Sequence, residues 1–143
     1  MSGWTPEPEG TPLAGPEVLA RAVIASRWVN KATNAVKPEA FEPPPSGALS
    51  VTRHAAGDEA VLWSRCRAVA VGRQRALHGR ADLTAEVVAA SEPGMNAVAA
   101  AREHDPGHAH ILGWPPDESL RISVQQTMAA AAKFVPAPPP TAV

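Results

Sequence analysis

HDPGHAHILGWPPDESLRISVQQTMAAAAKF, residues 104–134, carries the signals from which the fold is read. Asp105, Pro106 and Gly107 make a turn signal. The five residues after it, His108 to Leu112, suit an extended segment in which side chains two apart share a face. His108, His110 and Leu112 then point one way, and Ala109 and Ile111 the other. Pro115 and Pro116 end that strand, and Asp117 and Glu118 follow where the positive end of a helix dipole favours carboxylates. Leu120, Val124, Met128, Ala131 and Phe134 recur at helical spacing, with Lys133 near the carboxyl end. A strand followed by an amphipathic helix predicts an α+β domain in which this last helix packs on a sheet.

The remaining segments are read in the same class. Residues 58–78 place Leu62, Cys66, Val69, Arg73 and Leu77 at helical spacing with Gly79 as a stop, which predicts a second helix; Ala68 to Val71 also read as a short strand. Pro16 and Glu17 suit the start of a helix over 16–28, with Leu19, Ala22, Val23 and Ser26 on one stripe, although a strand over 22–29 is an open alternative. Phe41 and the prolines at 43–45 lead through Gly47 into a strand over 48–53. Segments 84–90, 96–102 and 107–113 are short, rich in Ala and Val, and bounded by turn signals at 92–94 and 105–107. They predict a short, mostly antiparallel sheet with two or three packed helices in a small single domain. Proline clusters divide the chain into a disordered tail over 1–15, the domain over 16–135 and a proline-rich tail over 136–143.

Apolar residues make up 45% of the 143, but 29 of them are Ala. The core is therefore small and Val-rich. At roughly 25 cal/mol per Å² of apolar surface, such an interior gains little from each side chain, which points to association with a partner. Lone Cys66 excludes an internal disulfide, and no basic segment followed by an apolar run comes after Met1. No stretch approaches the roughly 20 apolar residues that cross a bilayer. The expectation is a cytoplasmic protein without a membrane partner. A formal charge of −1 does not favour nucleic acid as the partner.

Three of the five histidines fall within seven residues of one another, at 104, 108 and 110. Imidazole is the commonest metal ligand and titrates near neutral pH, so His108 and His110 are candidate catalytic groups, with Ser50, Arg53 and His54 from the 48–53 strand as converging partners. Two histidines are too few for zinc, and their spacing matches no zinc motif, so no metal and no cofactor is expected. A structural reading competes: one histidine packed and hydrogen-bonded, the other at a strand edge. Arg65, Arg67, Arg73, Arg75 and Arg80 form a basic run and, with Trp114, are candidate binding residues. At 100° per residue these arginines scatter around a helix, which fits a solvated surface better than a track along a phosphate backbone. Trp28, Trp63 and Trp114 are expected as core anchors. Cys66 is expected to be buried and inert.

In Trp28, Ala40-Phe41-x-Pro43, Gly47-x-Leu49-Ser50-Val51 and His108-Ala109-x-Ile111 the chain resembles a family of small bacterial proteins of uncharacterised function. The resemblance covers roughly residues 20–53 and 104–120. It implies a compact α+β domain and a bacterial locus carrying accessory, mobile-element or defence genes. It marks Phe41, Ser50 and His108, leaves His110 at a variable position, and supplies no activity. The leading expectation is a non-enzymatic binding or accessory protein, partnered by another protein of the same locus. The alternative is a small His-dependent hydrolase or a nucleotide- or nucleic-acid-processing enzyme.

Overall fold

Residues 4–139, described by a computed structural model, begin each α-helix with a side-chain cap. Asp58 accepts from Val61 N–H ahead of α1 (Glu59–Gly72), Thr84 from Val87 N–H ahead of α2 (Ala85–Ser91), and Asp117 from Leu120 N–H ahead of α3 (Glu118–Ala131). Each first turn also carries a glutamate, at 59, 86 and 118, where the helix dipole favours it.

The strands are β1 (Val18–Val23), β2 (Val29–Asn30), β3 (Ala35–Val36), β4 (Leu49–Arg53), β5 (Gly79–Thr84), β6 (Asn96–Ala99), β7 (His108–Leu112) and β8 (Lys133–Pro136). Six of them form one antiparallel sheet in the order β6-β7-β4-β1-β5-β8, and β2 and β3 make a separate small hairpin. The α+β class is as expected. Pairs such as Leu19↔Leu83, Leu49↔Ile111 and Val51↔Ala109 put the larger aliphatic groups on one face. That face forms the main core with Phe41, Val88, Val124 and Met128. The opposite face carries Ala22, which packs with Trp63 and Cys66 of α1 and the partly buried Val135. The sheet therefore lies between α1 and the α2–α3 side.

Several expectations are corrected by this sheet. The helix expected over 16–28 is β1 and a short 3-10 turn, Ser26–Trp28, because β1 bonds to a strand on each side and buries Leu19, Ala20, Ala22 and Val23 on both faces. Two-sided burial erases the alternation that marks a strand. Segment 84–90, expected as a strand, is α2, with Ala85 and Val88 buried at helical spacing. α1 stops at Gly72, six residues before the expected end at 78, and the chain turns through Gln74 at φ +54° into β5. β5 starts at Gly79, where a Cβ would meet Phe134 Cε1 and the Val135 carbonyl oxygen at 2.5 Å. Phe134 lies on β8, opposite Ala81, and not on α3. Gly113, at φ +87°, is required by the turn after β7, since a Cβ there would fall 1.9 Å from the Gly94 carbonyl oxygen.

The amino-terminal tail needs the larger correction. Residues 4–15 contain no helix or strand, as the prolines suggest, but they are docked and do not hang free. Gly10 N–H bonds to Ala99 O at 2.8 Å, Ala99 N–H to Thr11 O at 2.9 Å, and Leu13 N–H to Ala97 O at 3.0 Å, so the segment covers the β6 edge. Leu13 is buried in the main core. Glu7 reaches across to Arg53. At the other end Pro136 belongs to β8 and Ala137 N–H bonds to His78 O; residues 140–143 of the expected tail lie outside the described residues.

Removing residues 1–13 is therefore expected to destabilise the domain by about 2 kcal/mol or more, from the burial of Leu13 alone. Denaturant unfolding of the truncated and full chains measures the difference, and equal midpoints would rule out a structural role for the segment.

Candidate functional site

β7 presents His108 and His110 on one face, opposite Thr52 and Ser50 of β4. Their rings meet edge to face with centroids 4.8 Å apart, and the two Nε2 atoms are 3.0 Å apart. His108 Nδ1 lies 3.5 Å from Asp105 Oδ2 in the preceding turn. A tautomer of His108 with Nδ1–H towards Asp105 leaves its Nε2 to accept from His110 Nε2–H. His108 is only 6% exposed. The His110 pKa is held below the ordinary histidine value of 6.5, first by burial, then by the neighbouring charges of His108 and Arg102. His110 therefore holds a proton less readily than a free imidazole does.

Of the expected partners, Ser50 stands across from His110 in the strand register, but Arg53 and His54 do not join the pair. Arg53 points to the other face and is 2% exposed. It is enclosed by Glu17, at 2.7 Å from Nη2, by Glu7, at 3.0 Å from Nη1 and from Nη2, and by the Trp4 ring, 5.1 Å away. These carboxylates, Glu17 first, raise its pKa despite desolvation. His54 belongs to a separate network: its Nε2 lies 3.2 Å from Asp82, which accepts from Arg80 Nε at 3.1 Å. Arg80 is the correction within the basic run, for it is a buried strand residue fastened to Glu59 at 2.7 and 2.8 Å and stacked 4.8 Å from the Trp63 ring. Among the described residues no three His, Cys, Asp or Glu side chains group as a metal site.

The other arginines divide by position. Arg65 donates to the His104 carbonyl, tying α1 to the turn before β7, and Arg67 is exposed. Arg73 and Arg75, just past the end of α1, line a cleft of about 270 Å³ with Arg21 and Ile24 from the β1 end, Arg27 and Trp28 from the turn after it, Ser50, and Val69. Sequence reading missed Arg21 and Arg27. β1 and β4 pair only at Leu19↔Arg53 and Ala20↔Thr52. Beyond that point Arg21 fills the gap, donating from Nε to Ala40 O at 2.9 Å and from Nη1 to Ser50 O at 3.0 Å. A charged residue in the middle of the otherwise apolar β1 run was the one signal available.

Trp114 donates from Nε1 to Ile111 O at 3.1 Å and packs on the main core, away from the arginines of the cleft. Cys66 is 1% exposed, and burial pushes its thiol up to about 11, against the pull of Arg80. That makes it a poor nucleophile. The chain matches no protein-family model, and no curated protein and no solved structure is similar to it.

The lowered pKa of His110 sets a pH dependence. As pH falls below about 6.5 the unfolded chain takes up the proton before the folded one does, so stability is fully present above that pH and is lost towards the lower folded value. Denaturation midpoints taken between neutral pH and pH about 5 are expected to fall, and His110→Gln to flatten that part of the profile. An unchanged profile in the variant would remove His110 as the source.

Proposed function

We propose that this protein acts by binding, as an accessory component of a bacterial multi-protein system. The observation that supports this reading is where the proton-transferring groups lie. His108 is buried and engaged by His110 and Asp105, and His54 is held beside Asp82. The cleft at the end of α1, by contrast, is lined by guanidiniums, an indole and a hydroxyl. Those groups hold a partner's charge but do not exchange protons near neutral pH. The small, Ala-rich core fits a chain that gains stability from a partner.

Gel filtration of a lysate from native cells, with the chain detected by antibody, is expected to show it eluting well above its own 14.9 kDa. Elution only at the mass of a single chain would overturn the reading.

A second reading, the His-dependent hydrolase or nucleotide- or nucleic-acid-processing enzyme, draws on Asp105 Oδ1, a buried carboxylate oxygen beside His108 that makes no hydrogen bond. Unsatisfied buried groups call for a reason, and a catalytic role is one. His108→Ala separates the two. A structural imidazole predicts a loss of about 1–3 kcal/mol in stability with binding falling only as folding fails. A variant that folds with undiminished stability yet loses its cellular phenotype would replace the binding reading with the enzymatic one.

A further inference from the structure

We propose that the cleft walled by Arg21, Arg27, Arg73 and Arg75 is a binding site for the phosphate of a phosphorylated small molecule. This goes beyond the accessory role: it needs no partner protein, and loss of a complex would leave it standing.

The arginines packed on the sheet are unequally paired. Arg53 has Glu7 and Glu17, and Arg80 has Glu59 and Asp82, as matched carboxylates. Arg21 has none. Its donors go to the carbonyls of Ala40 and Ser50, and among the described residues no ion pair includes Arg21, Arg27, Arg73 or Arg75. Desolvation, with the charge of Arg73 added, brings the Arg21 pKa down to about 10, the opposite direction to the two paired arginines. A partly buried cation beside further cations is costly unless an anion arrives.

Shape narrows the anion. The four guanidiniums come from the sheet, from the turn after β1 and from the end of α1, around a concavity of about 270 Å³. Arginines drawn from several sides of one cleft suit an oxyanion with several acceptor oxygens, and four positive charges suit a di- or trianion better than a single carboxylate. The basic groups do not continue into a track for a polymer: Arg65 is tied to the His104 carbonyl and Arg80 is buried under α1. Ile24, Trp28 and Val69 give the cleft an apolar wall for the organic part of the ligand. An adjoining cleft of about 380 Å³ shares Arg21, Arg27, Trp28, Ser50 and Arg73 and adds Glu39 and Glu42, so the anion is expected on the side of Arg75, away from those carboxylates.

The test is isothermal titration of the full chain with inorganic pyrophosphate, ADP, a short oligothymidylate and an oligoglutamate peptide, in about 0.15 M chloride to screen loose surface pairing. Saturable binding of pyrophosphate and ADP is expected. Exposed Arg73 and Arg75 are open to substitution without disturbing the core; Arg73→Ala and Arg75→Ala should each weaken binding about tenfold, while Arg67→Ala, outside the cleft, should not. ADP binding more tightly than pyrophosphate would support a ligand whose organic part meets the apolar wall, and equal binding would support recognition of the phosphate group alone. The proposal fails if neither phosphate compound saturates, if the double variant Arg73→Ala/Arg75→Ala binds as the parent does, or if oligothymidylate or oligoglutamate binds more tightly than both.

Discussion

A sheet covered on both faces, built from a chain whose commonest apolar residue is Ala, is the constraint from which the other features follow. Ala20, Ala22, Ala81, Ala97, Ala99 and Ala109 line the strands, and short side chains there let helices lie close on either side. The bulk that fills the layers is shared between strands and covering elements: Leu19, Leu49, Leu83 and Ile111 from the sheet meet Phe41, Val88, Val124 and Met128 on one side, and Trp63 and Cys66 of α1 cover the other. Even Leu13, from a segment with no regular structure of its own, is drawn into the core, and its neighbours close the β6 edge. Large apolar side chains are scarce in this chain, and Val61, Val71, Leu120 and Ile122 remain exposed outside the core.

The same scarcity explains why charged groups sit so deep. Arg53 is among the largest fully buried side chains, and Arg80 is 3% exposed. Each spends its methylene stem and flat guanidinium face on packing, against Trp4 in one case and Trp63 in the other, and each is neutralised by two carboxylates. Two such compensated sites show how this fold treats a buried cation when the role is structural. Arg21 stacks on an indole in the same way, 5.5 Å from the Trp28 ring, but lacks the carboxylates. The contrast separates a charge that holds the fold from one that faces a cleft.

The histidines follow a related logic. His108 is buried, so its imidazole must find partners within the protein. His108 finds them along its own strand and in the preceding turn, at His110 and Asp105, and burial holds the His110 pKa below its ordinary value. A constellation that reads as chemistry in the sequence has a packing explanation once its surroundings are present.

Local signals determined what they physically control. The alternation of His108, His110 and Leu112 and the proline pair and Asp117 ahead of α3 depend on backbone geometry within a few residues and stand where the sequence reading put them, and α1 starts within one residue of the expected position 58. The α+β class followed from them. Only tertiary structure decided the rest. β1 became a strand because β4 and β5 supply its hydrogen bonds, a partnership between residues more than 25 apart that no local periodicity encodes. α2 and the 84–90 reading diverged because an apolar run of Val and Ala suits either period until its neighbours choose a face. Arg80 and Arg21 are both arginines on strands; pairing with Glu59 and Asp82 made one a structural cation, and a gap between diverging strands placed the other at a cleft. The identity of an arginine is local, but its electrostatic partner is set by the fold.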